Sequence, residues 1–266
     1  MYPAVKTAID IYKYLPKTNC GECGLPSCFG FAAKLAANLS SIEDCPHLED
    51  QAREKLREAV GDRTSSPGTV YEQALEVLKE KMKTVDLVKT AERLGGVLHG
   101  PDSMDLIFLN ERYLVTKERV LDASGQETRP WISILIYNHL CMPDPPPNAG
   151  EWISFSALPQ SHAKDKAWKG HVEEVIAGRY SGDVERLRRT CAAQGGEAIE
   201  REGSHNAAYL FRFFPKFPVL LLFWDAVPEE DFPAQCTMLL DENANRYLDI
   251  ESIVVLGEEF ASRLLA

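Results

Sequence analysis

The chain predicts an α+β fold in two unequal parts: a small all-α N-terminal module, then a larger domain with an antiparallel sheet and helices. Three observations carry this. Apolar residues among the first sixty positions recur at helical spacing and leave no strand pattern. Beyond them, strand-like and helix-like stretches arrive in groups instead of alternating regularly, which points away from a parallel sheet. Between the two, "GDRTSSPGTV" concentrates glycine, serine and proline, the composition of a linker. The expected domains are therefore 1–60 and 70–266, joined by a linker over 61–69.

In the first part, Val5, Ala8, Ile9, Tyr12 and Leu15 predict a short amphipathic helix over 4–15 that stops at Pro16. After Cys28, the alanine-rich "FGFAAKLAANLS" places Phe29, Phe31, Ala32, Leu35 and Leu39 on a second helical period. Asp44, Cys45 and Pro46 mark a break, and 48–60 reads as a third, charged helix. In the second part, Ala74, Val77, Leu78, Met82, Val85, Val88 and Ala91 predict one long helix over 71–94, ended by Gly95 and Gly96. Apolar runs at 106–109 and 113–115 predict a hairpin bent at Asn110, Glu111 and Arg112. Residues 130–140 are apolar but short, and Pro130, suited to a first turn, favours a helix there. "MPDPPPNAGEW" predicts an extended loop, followed by helices at 164–177 and 183–193. "AAYLFRFFPKFPVLLLFWDA" predicts two strands joined across Pro215 and Lys216, the centre of the sheet. A strand at 237–240, a polar turn "DENAN" and a terminal helix from Ile250 complete the chain.

Chemistry enters with Cys20, Cys23, Cys28 and Cys45, separated by two, four and sixteen residues. Soft thiolates bind iron strongly, and a cubane needs four of them from a short loop plus one returning segment. Gly21, Gly24 and Pro26 suit a tight wrap that turns backbone amides toward the sulfurs. The helix starting at Cys28 brings its positive end to a negatively charged site. A structural zinc ion also accepts four thiolates, but its usual ligands come as paired knuckles, unlike this uneven spacing. The metal set is thus Cys20, Cys23, Cys28 and Cys45 on one iron–sulfur cluster, with a purely fold-bracing role as the plain alternative.

Composition bounds the rest. A net charge of −11 argues against a nucleic-acid partner, which would require a basic face. Seven cysteines in 266 residues, four at ligand spacing, read as a reducing compartment, so a cytoplasmic location is expected. The opening residues contain no secretory apolar core, and the longest apolar run, 219–224, is far too short to span a bilayer. "LGGVLHG" lacks the lysine and the strand-turn-helix context of a phosphate loop.

The segment "DIYKYLPKTNCGECGLPSCFGFAAKLA", with its later "CP", resembles the small iron–sulfur domain of the large subunit of corrinoid iron–sulfur proteins and of the B subunit of the Rnf electron-transport complex. That resemblance implies a [4Fe-4S] cluster on the four cysteines, passing single electrons at low potential to a redox partner protein, a corrinoid protein being one such partner. The remaining two-thirds, with "FRFFPKFPVLLLFWDA" and "LLDENANRYLDIESIVVLGEEF", resembles DUF3786, a domain without an assigned activity.

Two other readings stay open. In one, the larger domain holds a corrinoid or other tetrapyrrole that the cluster reduces, with His162 as the cofactor-binding axial ligand, because it follows the strand-to-loop transition "EWISFSALPQS". His171 and His205 are lesser candidates, and Cys141 with His139 is a further place where a thiol and an imidazole meet a ligand. In the other, the protein is a sensor that reads cluster loss through the linker. Cys191, Cys236 and the aromatic group of Phe211, Phe213, Phe214, Phe217, Phe223 and Trp224 read as core.

Overall fold

A computed structural model describes residues 8–23, 27–36, 40–60 and 67–266. They divide into two compact units, Met1–Glu76 and Val77–Ala266. Most of the expected linker, 61–66, lies outside the described residues, as do the start of the first expected helix, Leu39, Gly24 and Pro26, while the last three linker residues, 67–69, are not linker but the opening turn of a helix.

The first unit is helical in its described parts. Helix α1 (Ala8–Tyr12) turns at Tyr14 and Leu15, whose N–H groups donate back to Ile11 and Tyr12. Helix α2 (Cys28–Ala36) packs against it, and α3 (Asp50–Val60) follows a 3-10 turn, Ile42–Asp44. Ile11, Leu15, Phe31, Ala32, Leu35, Leu48 and Leu56 form one small core, and Cys28 and Cys45 belong to it. Helix α4 (Pro67–Met82) begins in this unit and ends in the next.

The expected long helix over 71–94 is two helices. After Met82 the chain turns, with Thr84 Oγ1 donating to the Lys81 carbonyl at 2.8 Å, and α5 (Leu87–Leu94) restarts at Asp86. The Asp86 carboxylate accepts the N–H groups of Val88 and Lys89, a side-chain N-cap that favours a new helix start over continuation. Gly95, at φ +80°, closes α5 in the left-handed conformation that glycine adopts without strain.

Two antiparallel sheets follow. The first contains β1 (Val97–Leu98), β2 (Ser103–Phe108), β3 (Glu111–Thr116) and β4 (Val120–Leu121), in that order. Its central hairpin turns on Leu109 and Asn110, at φ +46° and +63°, so Glu111 and Arg112 belong to β3 and not to the bend. A two-residue turn with both φ values positive matches the right-handed twist of its strands. Helix α6 (Pro130–Cys141) then carries Pro130 in its first turn, as expected.

The second sheet begins with β5 (Trp152–Ser154). Helix α7 (Asp165–Trp168), a π-helical segment (Lys169–Glu173) and α8 (Glu174–Tyr180) replace the single regular helix expected at 164–177. Helix α9 (Val184–Ala193) leads to β6 (Glu197–Ala198), β7 (Ala207–Phe214), β8 (Phe217–Trp224) and β9 (Gln235–Asp241), ordered β5-β9-β8-β7-β6. The β7–β8 hairpin turns at Pro215 and Lys216, and Phe211, Phe213, Phe214, Phe217 and Phe223 are buried, so this run is core. Helices α10 (Ala244–Tyr247) and α11 (Ile250–Leu265) end the chain; the latter packs closely on α7 and the π segment, where Gly257 leaves room for Trp168.

Candidate metal centre

The four cysteines line one pocket in the first unit, with Leu15, Pro16 and Phe31 as its apolar wall. The loop that supplies the first three is bent by left-handed residues: Lys17, Asn19 and Gly21 have φ of +61°, +50° and +79°. Open space surrounds the position a Cβ would take at Gly21, so backbone conformation alone calls for glycine there. Asn19 fastens the loop to the start of α2. Its side-chain oxygen accepts the Cys28 N–H at 2.8 Å, and its own N–H donates to Cys28 Sγ at 3.4 Å. Such amide-to-sulfur bonds are the means by which a protein tunes a thiolate ligand.

Cys45 arrives from the other side on the 3-10 turn. Ser41 begins that turn with a capping box: its hydroxyl accepts from Glu43 N and its N–H donates to Asp44. Arg53 of α3 donates to the carbonyls of Cys45 and Leu48 at 3.4 and 3.3 Å and pairs with Glu43, which fixes the returning segment. Arg57 joins the pair, and these guanidiniums hold the Glu43 carboxyl below its ordinary range.

Burial differs among the four cysteines. Cys28 and Cys45 are buried, Cys23 is half-buried and Cys20 is exposed. Burial pushes the Cys45 thiol up, the His47 backbone opposes this, and crowding by the thiols of Cys23, Cys28 and Cys20 adds to it. A cation bound among them removes that obstacle to ionisation. Beside Cys20, the pair His47–Glu22 (3.0 Å) completes a trio of donor atoms lying within 4.8 Å of one another.

Elsewhere the expected candidates are scattered. His162 is exposed and does not line the pocket that holds the four cysteines. His171 pairs with Glu258 at 2.7 Å, and His205 stands edge-on to Trp224. His139 is wholly buried, stacked on Phe214 at 4.0 Å, with Nδ1 donating to the Tyr247 carbonyl; it is a core residue and not the mouth of a loop. Cys141 faces Met82 through sulfur at 3.6 Å, while Cys191 and Cys236 are buried as expected. Sequence reasoning missed Asn19 and Arg53. The first was readable, since an asparagine in a tight loop before a cysteine can take a left-handed conformation and return a hydrogen bond.

Comparison with known proteins gives separate matches in the two parts of the chain. Residues 15–47 match the family described as "Putative Fe-S cluster". The corrinoid/iron-sulfur protein large subunit of Moorella thermoacetica is 54% identical over 50 residues, 19% of this chain and 11% of that protein. The acetyl-CoA decarbonylase/synthase complex subunit gamma of Methanopyrus kandleri is 50% identical over 52 residues (20% and 11%), and that of Methanocaldococcus jannaschii 45% over 65 residues (24% and 13%). The chain therefore spans only 11–13% of the length of these relatives. No solved structure matches. Residues 86–263 match the domain of unknown function DUF3786, and with more than half of its length in that match, this iron–sulfur protein belongs to the DUF3786 family.

Proposed function

We propose that Cys20, Cys23, Cys28 and Cys45 hold one low-potential [4Fe-4S] cluster and that the protein is a one-electron carrier for a partner protein in anaerobic metabolism. The observation that carries this reading is the convergence of the four cysteines, unevenly spaced in sequence, on a single pocket. A tetrahedral zinc ion, with Zn–S near 2.3 Å, would draw its four sulfurs to about 3.8 Å from one another. A cubane takes each thiolate at a separate iron corner and so holds them farther apart. When bound, such a cluster accepts and releases single electrons.

The chain's own residues then have defined tasks. Leu15 and Phe31 keep water from the inner sulfurs, Asn19 directs an N–H at Cys28, and Arg53 holds the Cys45 segment in place. Exposed Cys20 leaves one side open to a redox partner. The names of the relatives, a corrinoid/iron-sulfur subunit and a decarbonylase/synthase subunit, make a corrinoid protein the first partner to try. An exposed His162 offers no enclosure for a tetrapyrrole and lends the alternative no support.

Anaerobic purification with iron, sulfide and zinc analysis tests the proposal. About four irons and four sulfides per chain, with a one-electron paramagnetic signal on reduction, are expected. One zinc per chain without sulfide would refute it.

A further inference from the structure

The second unit contains a cleft of about 700 Å³ that none of the expected site residues lines. It runs beside β9. Strand β5 pairs with β9 only from Leu239 to Asp241, so the part of β9 before Leu239 has a free edge. The Met238 N–H is not left open there. It donates to Glu173 Oε1 at 2.9 Å, and the same oxygen accepts Trp168 Nε1–H at 3.2 Å.

The π-helical segment makes this arrangement possible. Trp168 is pinned, stacked on Phe155 at 4.7 Å and pressed against Gly257, where a Cβ would come within 2.5 Å of the indole. The widened turn from Lys169 to Glu173 lets the glutamate leave the helix and reach the sheet edge while Trp168 stays in place. Single π turns of this kind concentrate at functional sites.

Glu173 is only half satisfied by this. Its Oε1 is held by two neutral donors, whereas Oε2 has no partner among the described residues and is not sealed off from solvent. Burial pushes the carboxyl up, and the Met238 and Trp168 donors and the Lys169 charge do not bring it back. A carboxylate so placed, without a hydrogen-bonded cation, is under-compensated. Asp165 and Glu174 line the same cleft, against one ammonium from Lys169, and the hydroxyls of Ser154 and Ser156 lie at its side.

We propose that this cleft binds a cationic hydrogen-bond donor, an ammonium or guanidinium group of a small molecule, anchored on Glu173 Oε2. The proposal is independent of the metal centre. Agmatine, which carries both groups, is the probe, titrated into the full chain by calorimetry and by amide-resolved NMR. Binding is expected to move the Cys236 and Met238 amides and the Trp168 indole signal.

Glu173→Gln keeps an acceptor for Met238 and Trp168 yet removes the charge, and affinity should fall 10- to 100-fold, the range for a charged hydrogen bond. Lys169→Ala should tighten binding, an effect that a merely structural glutamate would not produce, and it serves if Glu173→Gln fails to fold. No binding at millimolar agmatine, shifts scattered over surface carboxylates, or equal affinity in wild type, Glu173→Gln and Lys169→Ala would each overturn the proposal.

Discussion

Asn19 and Cys28 hold each other twice: the side-chain oxygen of one accepts the N–H of the other at 2.8 Å, and the N–H of the first donates to the sulfur of the second at 3.4 Å. Asn19→Ala removes the first bond and also puts alanine at φ +50°, a conformation that costs roughly 1 kcal/mol or more. Asn19→Gly tolerates that φ and loses only the side-chain bond. Iron content after anaerobic purification should therefore fall in the order wild type, Asn19→Gly, Asn19→Ala. Equal content in all three would show that the clasp does not support the ligand loop.

Arg53 holds the returning Cys45 segment through two carbonyls and Glu43. Arg53→Ala strands those acceptors and should destabilise the first unit by about 1–2 kcal/mol. Arg53→Lys, a point charge without the planar fork, should recover only part of this. Thermal melts of the two variants, monitored with iron retention, provide the check.

Burial lowers the His139 imidazole from 6.5 to about 4, against the Tyr247 hydrogen bond and aided by the Arg93 charge. Because Nδ1 donates to Tyr247, the lone pair sits on Nε2, which is buried without a partner. The unfolded chain therefore takes up this proton first. Its stabilising contribution is complete above pH 6.5 and is lost as pH falls toward 4, a change on the order of 3 kcal/mol. His139→Phe should flatten the stability-versus-pH curve in that window, while retaining the stack on Phe214.

Glu259 gathers Arg129, Trp131 and Arg263 around a carboxylate that is only 8% exposed. Burial alone would raise it, but the bonds from Trp131 and Arg263 and the two guanidinium charges prevail and hold it below its ordinary value. Its contribution is thus present at neutral pH and fades as pH falls through the lowered value. Glu259→Gln should cost about 2–3 kcal/mol at pH 7 by leaving the arginines short of a charge. The gap between variant and wild type in urea denaturation should close in acid.

What could be read from residues alone follows from how local each signal is. The gathering of the four cysteines at one pocket, Pro130 in a first turn and the β7–β8 hairpin at Pro215 and Lys216 depend on neighbours in sequence, and all three were legible. The break after Met82 was not, because Val85 and Val88 continue the apolar period and only the Asp86 cap betrays a fresh start. Leu109 in a left-handed turn runs against its own preference and is held by the Phe213 carbonyl, more than a hundred residues away. Strands of two residues, such as β1, β4 and β6, are too short to show alternation. Glu173 was invisible for a related reason: one extra residue in a helical turn leaves no mark on a 3.6-residue pattern.

Cys28 and Cys45 sit in the first unit's interior together with Phe31, Leu35 and Leu56. Whatever occupies those sulfurs is therefore linked by mass action to the folding of the whole helical module. Loss of a bound metal would then be read as loosening of that segment and its exposure to proteases.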